Sequence, residues 1–136
     1  YGMVVPRFAQ QALRGEPITV YGDGRQSRSF TDVADTVAAT IALALRPEAA
    51  GHVFNIGNGA EVTIHDLARQ VKTIAGSASP IVFIPYEQAY QEGFEDLRRR
   101  VPDISKLRRF TGFEPQWDLA ATLVRVIEYH RRGQSL

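Results

Sequence analysis

Short apolar runs alternate in this chain with longer stretches whose apolar residues recur on one helical face, and glycine or proline marks most of the joins. Val5, Phe8, Ala9, Ala12 and Leu13 follow one-face spacing around Pro6, which suits a first helical turn, until Gly15 stops the pattern. Ile18 to Tyr21 then reads as a strand. After the turn Gly22-Asp23-Gly24, Ser29 to Val33 reads as a second short strand, and Asp35 is placed to cap a helix through Val37, Ile41 and Leu45 up to Pro47. His52 to Ile56 is a compact strand closed by Gly57-Asn58-Gly59. Thr63 with Asp66 approximates a capping box before a helix with Ile64, Leu67, Ala68, Val71 and Ile74 on its apolar face, ending at Gly76. A strand from Ile81 to Ile84, a polar loop, a short helix from Asp103 to Phe110 and a last helix from Asp118 through Ile127 complete the series. Strands this short, interleaved with helices, can only build a small α/β (α+β) domain.

Length and charge narrow the class further. With 136 residues there is material for one core. The 44% apolar and 23% charged shares are those of a globular protein, and no apolar run approaches a membrane span. A formal net charge of +1 gives no overall field for nucleic acid or an anionic membrane, so neither is an expected partner. The absence of cysteine excludes disulfides and thiolate chemistry and fits a cytoplasmic protein. The opening Tyr1-Gly2-Met3-Val4-Val5-Pro6 has neither an initiator methionine nor a signal peptide, and reads as the interior of a longer chain.

The residues that would let such a domain act alone are missing from the sequence. Gly22-Asp23-Gly24 is followed by Ser27, and Gly57-Asn58-Gly59 by Val62, where a dinucleotide-binding turn needs a third glycine. His52, His65 and His130 lie in separate elements without metal-ligand spacing, so no metal site is expected. No tyrosine has a lysine four residues later.

Three blocks, VVPRFAQQALRGEPITVYGDGRQSRSFTDVAD, VFNIGNGAEVTIHDLA and YQEGFEDLRRRVPDISKLRRFTGFEP, together resemble the carboxy-terminal half of the nucleotide-sugar epimerase, dehydratase and decarboxylase family, the extended short-chain dehydrogenases. The resemblance implies that residues 1–136 are the substrate-binding lobe that packs on a separate Rossmann domain. That missing domain would hold NAD and the catalytic Tyr, Lys and Ser or Thr, so the fragment alone would have no catalytic residues and no bound cofactor. The implied ligand is a nucleoside-diphosphate sugar, with a UDP-sugar first, and the implied parent is a homodimer. A non-catalytic sugar-nucleotide-binding or regulatory protein is the alternative from another class.

Such a ligand offers a flat base, ribose hydroxyls and a pyrophosphate. In VYGDGRQSR, strand alternation puts Thr19 and Tyr21 on one face, the Tyr21 ring can pack on a base, and the Arg28 fork can bind phosphate. The resemblance assigns Thr19, Tyr21 and Arg28 to the nucleotide site, Arg100 to the phosphates or a sugar acid, and Asp96 to the ribose hydroxyls. Arg98 and Arg99 are left to the surface, and Asp103 to the cap of the next helix. Where galactose epimerases carry an arginine three residues before the position of Asp96, this chain has Gly93. With the GFED and RRRVPD blocks, that moves the likeness from UDP-glucose 4-epimerases toward UDP-glucuronate decarboxylase-like members.

Overall fold

The computed structural model describes residues 3–89 and 97–133. In chain order the elements are α1 (Val4–Arg14), β1 (Ile18–Tyr21), β2 (Ser27–Arg28), α2 (Val33–Ala44), a 3-10 turn (Pro47–Ala49), β3 (Val62–Thr63), α3 (Ile64–Ala75), β4 (Ile81–Ile84), α4 (Tyr86–Ala89), β5 (Arg99–Arg100), α5 (Ser105–Thr111) and α6 (Leu119–Gly133). The mixed α/β class is as the sequence implies.

The core is where α1, α3 and α6 meet the inner face of β1. Phe8, Ala9 and Ala12 pack with Ile18, Val20, Leu67, Ala68, Val71, Leu123 and Ile127. Local signals account for these helices. Gly15 ends α1, and Thr63 Oγ1 accepts the Asp66 amide at 3.0 Å to start α3. Asp118 Oδ1 accepts the Ala121 amide at 2.7 Å to start α6. Burying one side chain such as Phe8 or Leu123 contributes about 1.5–3 kcal/mol.

Two small sheets flank the core. β1 pairs parallel with β4, while β2 lies between antiparallel β3 and parallel β5. The strands on either side of the Gly22-Asp23-Gly24 turn therefore belong to different sheets, and the turn hands the chain from one to the other. Gly22 has φ +69°, and a Cβ there would stand 2.3 Å from Cε2 of Tyr86. The left-handed backbone and the ring leave room for glycine alone.

Three expectations are corrected. The second strand is Ser27–Arg28, not Ser29 to Val33: the Ser29 hydroxyl donates to the Asn58 carbonyl, and Val33 already begins α2. The cap of α2 is Asp32, whose Oδ1 accepts the Ala34 amide at 2.8 Å. Asp35 lies inside the first turn, buried, and accepts the Gln116 and Trp117 amides at 3.0 and 3.1 Å. Finally, residues 52–56 form no strand among the described residues, and Val53 is 84% exposed. On α2 the buried residues are Asp35 and Ala39, whereas Val33, Val37 and Ile41, and Leu45 just after the helix, are all at least half exposed.

Candidate functional site

A cavity of about 400 Å³ opens between the start of α1, the end of β1, β2, α4 and β5. Its polar lining includes Arg7, Tyr21, Gln26, Arg28, Tyr86 and Arg100. The register of β2 and β5 creates it. Ser27 lies beside Arg99 and Arg28 beside Arg100. Since successive strand residues point to opposite faces, Arg28 and Arg100 share the cavity side while Ser27 and Arg99 share the other. Like charges side by side on neighbouring strands are destabilising unless an anion answers them.

Arg28 is held before any ligand arrives. Its Nη1 donates to the carbonyls of Ser27 and Leu97, both at 2.7 Å, which ties the chain entering β5 to β2. Arg7 brings a third guanidinium. It donates from Nη2 to the Thr19 carbonyl at 3.1 Å, and its centre lies 4.2 Å from the middle of the Tyr21 ring. Arg7 Nε and the Oε1 of Gln26 are buried without a hydrogen-bond partner among the described residues, although Gln26 Nε2 donates to the Tyr21 carbonyl at 2.9 Å.

The three successive arginines separate by alternation. Arg98 is exposed and pairs with Asp23 at 2.8 Å. The Asp23 carboxyl is held below its ordinary value by the Arg25 amide and then by Arg98, whose own pKa is raised in return. Arg99 turns to the far side, where its Nε donates to both oxygens of Glu61 at 3.2 and 3.1 Å. Glu61 also accepts the Ser27 hydroxyl, and this bond first, then Arg99, lowers its pKa. A larger open cleft of about 800 Å³ lies on that far side, along α3, and gathers Glu61, Asp66 and Arg69, none of the arginines of the first cavity.

Of the residues assigned from the sequence, Tyr21, Arg28 and Arg100 meet in one cavity. Thr19 does not line it: its hydroxyl accepts Gln11 Nε2 at 2.9 Å, and its carbonyl anchors Arg7. Asp96 lies outside the described residues. Asp103 does serve the next helix, accepting the Ser105 amide at 2.9 Å. Arg7, Gln26 and Tyr86 were not found from the sequence. Arg7 reads there as one polar position of an amphipathic helix, and nothing local shows that its side chain runs along β1.

Residues 1–57 match the NAD dependent epimerase/dehydratase family. The UDP-N-acetyl-alpha-D-glucosaminuronate decarboxylase of Bacillus cytotoxicus is 40% identical over 131 residues, a match covering 96% of this chain and 40% of that protein. Among solved structures, an epimerase from Methanothermobacter thermautotrophicus superposes with a TM-score of 0.89 at 27% identity, over 99% of this chain and 39% of its own. UDP-glucose 4-epimerase from Thermotoga maritima, solved with UDP-glucose, gives 0.83 at 32% identity, over 98% and 41%. The chain is similar to this decarboxylase and these epimerases over nearly its whole length. It spans about two fifths of the length of these relatives.

Proposed function

We propose that residues 1–136 are the substrate-binding lobe of an NAD-dependent nucleoside-diphosphate-sugar enzyme, and that the cavity holds the nucleoside diphosphate. The observation that carries this reading is the pairing of Arg28 with Arg100 on adjacent parallel strands, facing the cavity that Arg7 and Tyr21 also line. Two guanidinium forks converging beside an aromatic ring match a pyrophosphate next to a base. Tyr21 packs on the base, Arg28 and Arg100 bind the phosphates, and Asp96 accepts the ribose hydroxyls. Thr19 acts behind them, through its hold on Arg7.

The dinucleotide is not held here, because neither glycine turn of the chain has the three-glycine spacing that cradles a pyrophosphate. NAD would sit on an amino-terminal Rossmann half that also carries the catalytic tyrosine and lysine, and would supply oxidation at sugar C4. The present residues contribute affinity remote from the reacting carbon, which orients the sugar. A lyase outcome, decarboxylation of a UDP-uronic acid, is favoured over an isomerase outcome by the 40% identity to the Bacillus cytotoxicus decarboxylase. The whole protein is proposed to be a cytoplasmic homodimer, and the 136-residue piece by itself to be inactive.

Titration of UDP into the full-length protein tests the site. Arg28→Ala and Arg100→Ala are each expected to weaken UDP roughly tenfold or more, the worth of about 1.5–3 kcal/mol for a hydrogen bond to a charged group, with NAD affinity unchanged. Unchanged UDP affinity in both variants, or equal loss of UDP and NAD, overturns it.

A further inference from the structure

We infer that Glu61 is a positioning residue for the phosphate-binding pair, acting through Arg99 to keep Arg100 turned into the cavity; this rests on the reading of that cavity as a nucleoside-diphosphate site. β5 is only two residues long, Arg99–Arg100, and its neighbour in the sheet is the equally short β2. Backbone pairing over so short a length specifies register weakly, and a slip of one residue would put Arg99 into the cavity and turn Arg100 away.

What decides the register is on the opposite face. Glu61, the residue before β3, accepts the Ser27 hydroxyl from β2 and the Nε of Arg99 from β5. One carboxylate thus spans the two strands and clasps the members of a single register pair, Ser27 and Arg99. Alternation then makes the next pair, Arg28 and Arg100, point the other way. Cavity-side contacts do not do this alone. Arg28 fastens the Leu97 carbonyl and Asp23 fastens Arg98, but both act before the strand begins and neither touches Arg99 or Arg100.

The arrangement also sorts three adjacent, chemically identical side chains into separate duties. A carboxylate placed for Arg99 on the far side leaves Arg100 as the guanidinium on the cavity side of β5.

The test is titration of the full-length protein with UDP and, separately, with uridine, which lacks the phosphates. Glu61→Gln is expected to weaken UDP on the order of tenfold, the loss of one charge-assisted contact, and to leave uridine within about twofold. Arg99→Gln, at an exposed side chain, should have the same effect, and the double variant should be no worse than either single one, because both changes open the same clasp. Equal loss of UDP and uridine in both single variants would make Glu61 merely structural and overturn the inference. So would an additive double variant. Arg100→Ala separates the two levels: if it weakens UDP while Glu61→Gln and Arg99→Gln do not, only the positioning role fails. If Arg100→Ala has no effect on UDP the positioning role fails as well, and if Arg28→Ala also has none, the reading of the cavity fails with it.

Discussion

The Arg7 guanidinium lies 4.2 Å from the centre of the Tyr21 ring, with its Nη2 hydrogen-bonded to the carbonyl of Thr19 two residues earlier on the same strand. An arginine of α1 thereby sets the ring that ends β1. Arg7→Met keeps most of the stem and removes the fork. It is expected to cost about 1 kcal/mol of stability from the lost cation–π contact and to weaken UDP binding further by releasing Tyr21. Thermal unfolding and UDP titration check the two parts separately. An unchanged UDP affinity would show that Tyr21 holds its position without Arg7.

Gly22 and Tyr86 form a second coupled pair. Gly22→Ala must place a Cβ where the Tyr86 ring stands, at φ +69°, and is expected to cost about 1–3 kcal/mol. In a Tyr86→Ala background the steric part disappears and only the backbone part remains, so the two substitutions should be non-additive. Denaturant unfolding of the four proteins measures this, and simple additivity would count against the ring contact.

Gly57 limits the approach of Pro102 in the same manner. A Cβ at Gly57 would come within 2.7 Å of Pro102 Cγ, and Pro102 lies two residues after Arg100. Gly57→Ala is therefore expected to push the end of β5 outward and weaken UDP more than it lowers the unfolding temperature. Comparing the two readouts decides it.

Acid lability has a definite sign. The carboxyls of Asp23 and Asp103 are held below their ordinary 3.8, and that of Glu61 below 4.5. For Asp103 the causes are the Ser105 amide and then its hydroxyl. A folded-state pKa below the unfolded one stabilises at every pH above the unfolded value, and that contribution is lost as pH falls through the folded value. The unfolding midpoint should be flat above about pH 5 and decline below it. Asp23→Asn and Glu61→Gln should each make the decline shallower; an unchanged slope in both would mean that these contacts do not persist in solution.

The two faces of the molecule should respond differently to truncation. Leu123→Ala, at a fully buried core position, is expected to cost about 2–5 kcal/mol, whereas Ile41→Ala, more than half exposed on α2, should fall within about 0.5 kcal/mol in the 136-residue chain. A large cost for Ile41→Ala in the full-length protein but not in the 136-residue chain would reveal that its face is covered there.

What the sequence by itself determined is what depends on near neighbours along the chain. Gly15, the Thr63–Asp66 cap, Gly76 and Asp118 act within one helical turn, so the ends of α1, α3 and α6 could be read directly, as could the apolar runs of β1 and β4. Tertiary structure decided everything that depends on distant partners. The sequence pointed to Asp35 as the cap of α2, but Asp32 takes that place with Arg125 paired to it, while the Gln116 and Trp117 amides hold Asp35 inside. Residues 52–56 have a strand's composition, but a strand exists only with a partner, and none of the described residues provides one. The site divides in the same way. Tyr21 and Arg28 were legible as an aromatic and a fork around a glycine turn, but the pairing of Arg28 with Arg100 rather than Arg99 is a matter of register. Register is set by side chains such as Glu61 that meet only after folding, because strand alternation gives every residue two possible faces and only the neighbouring strand chooses between them.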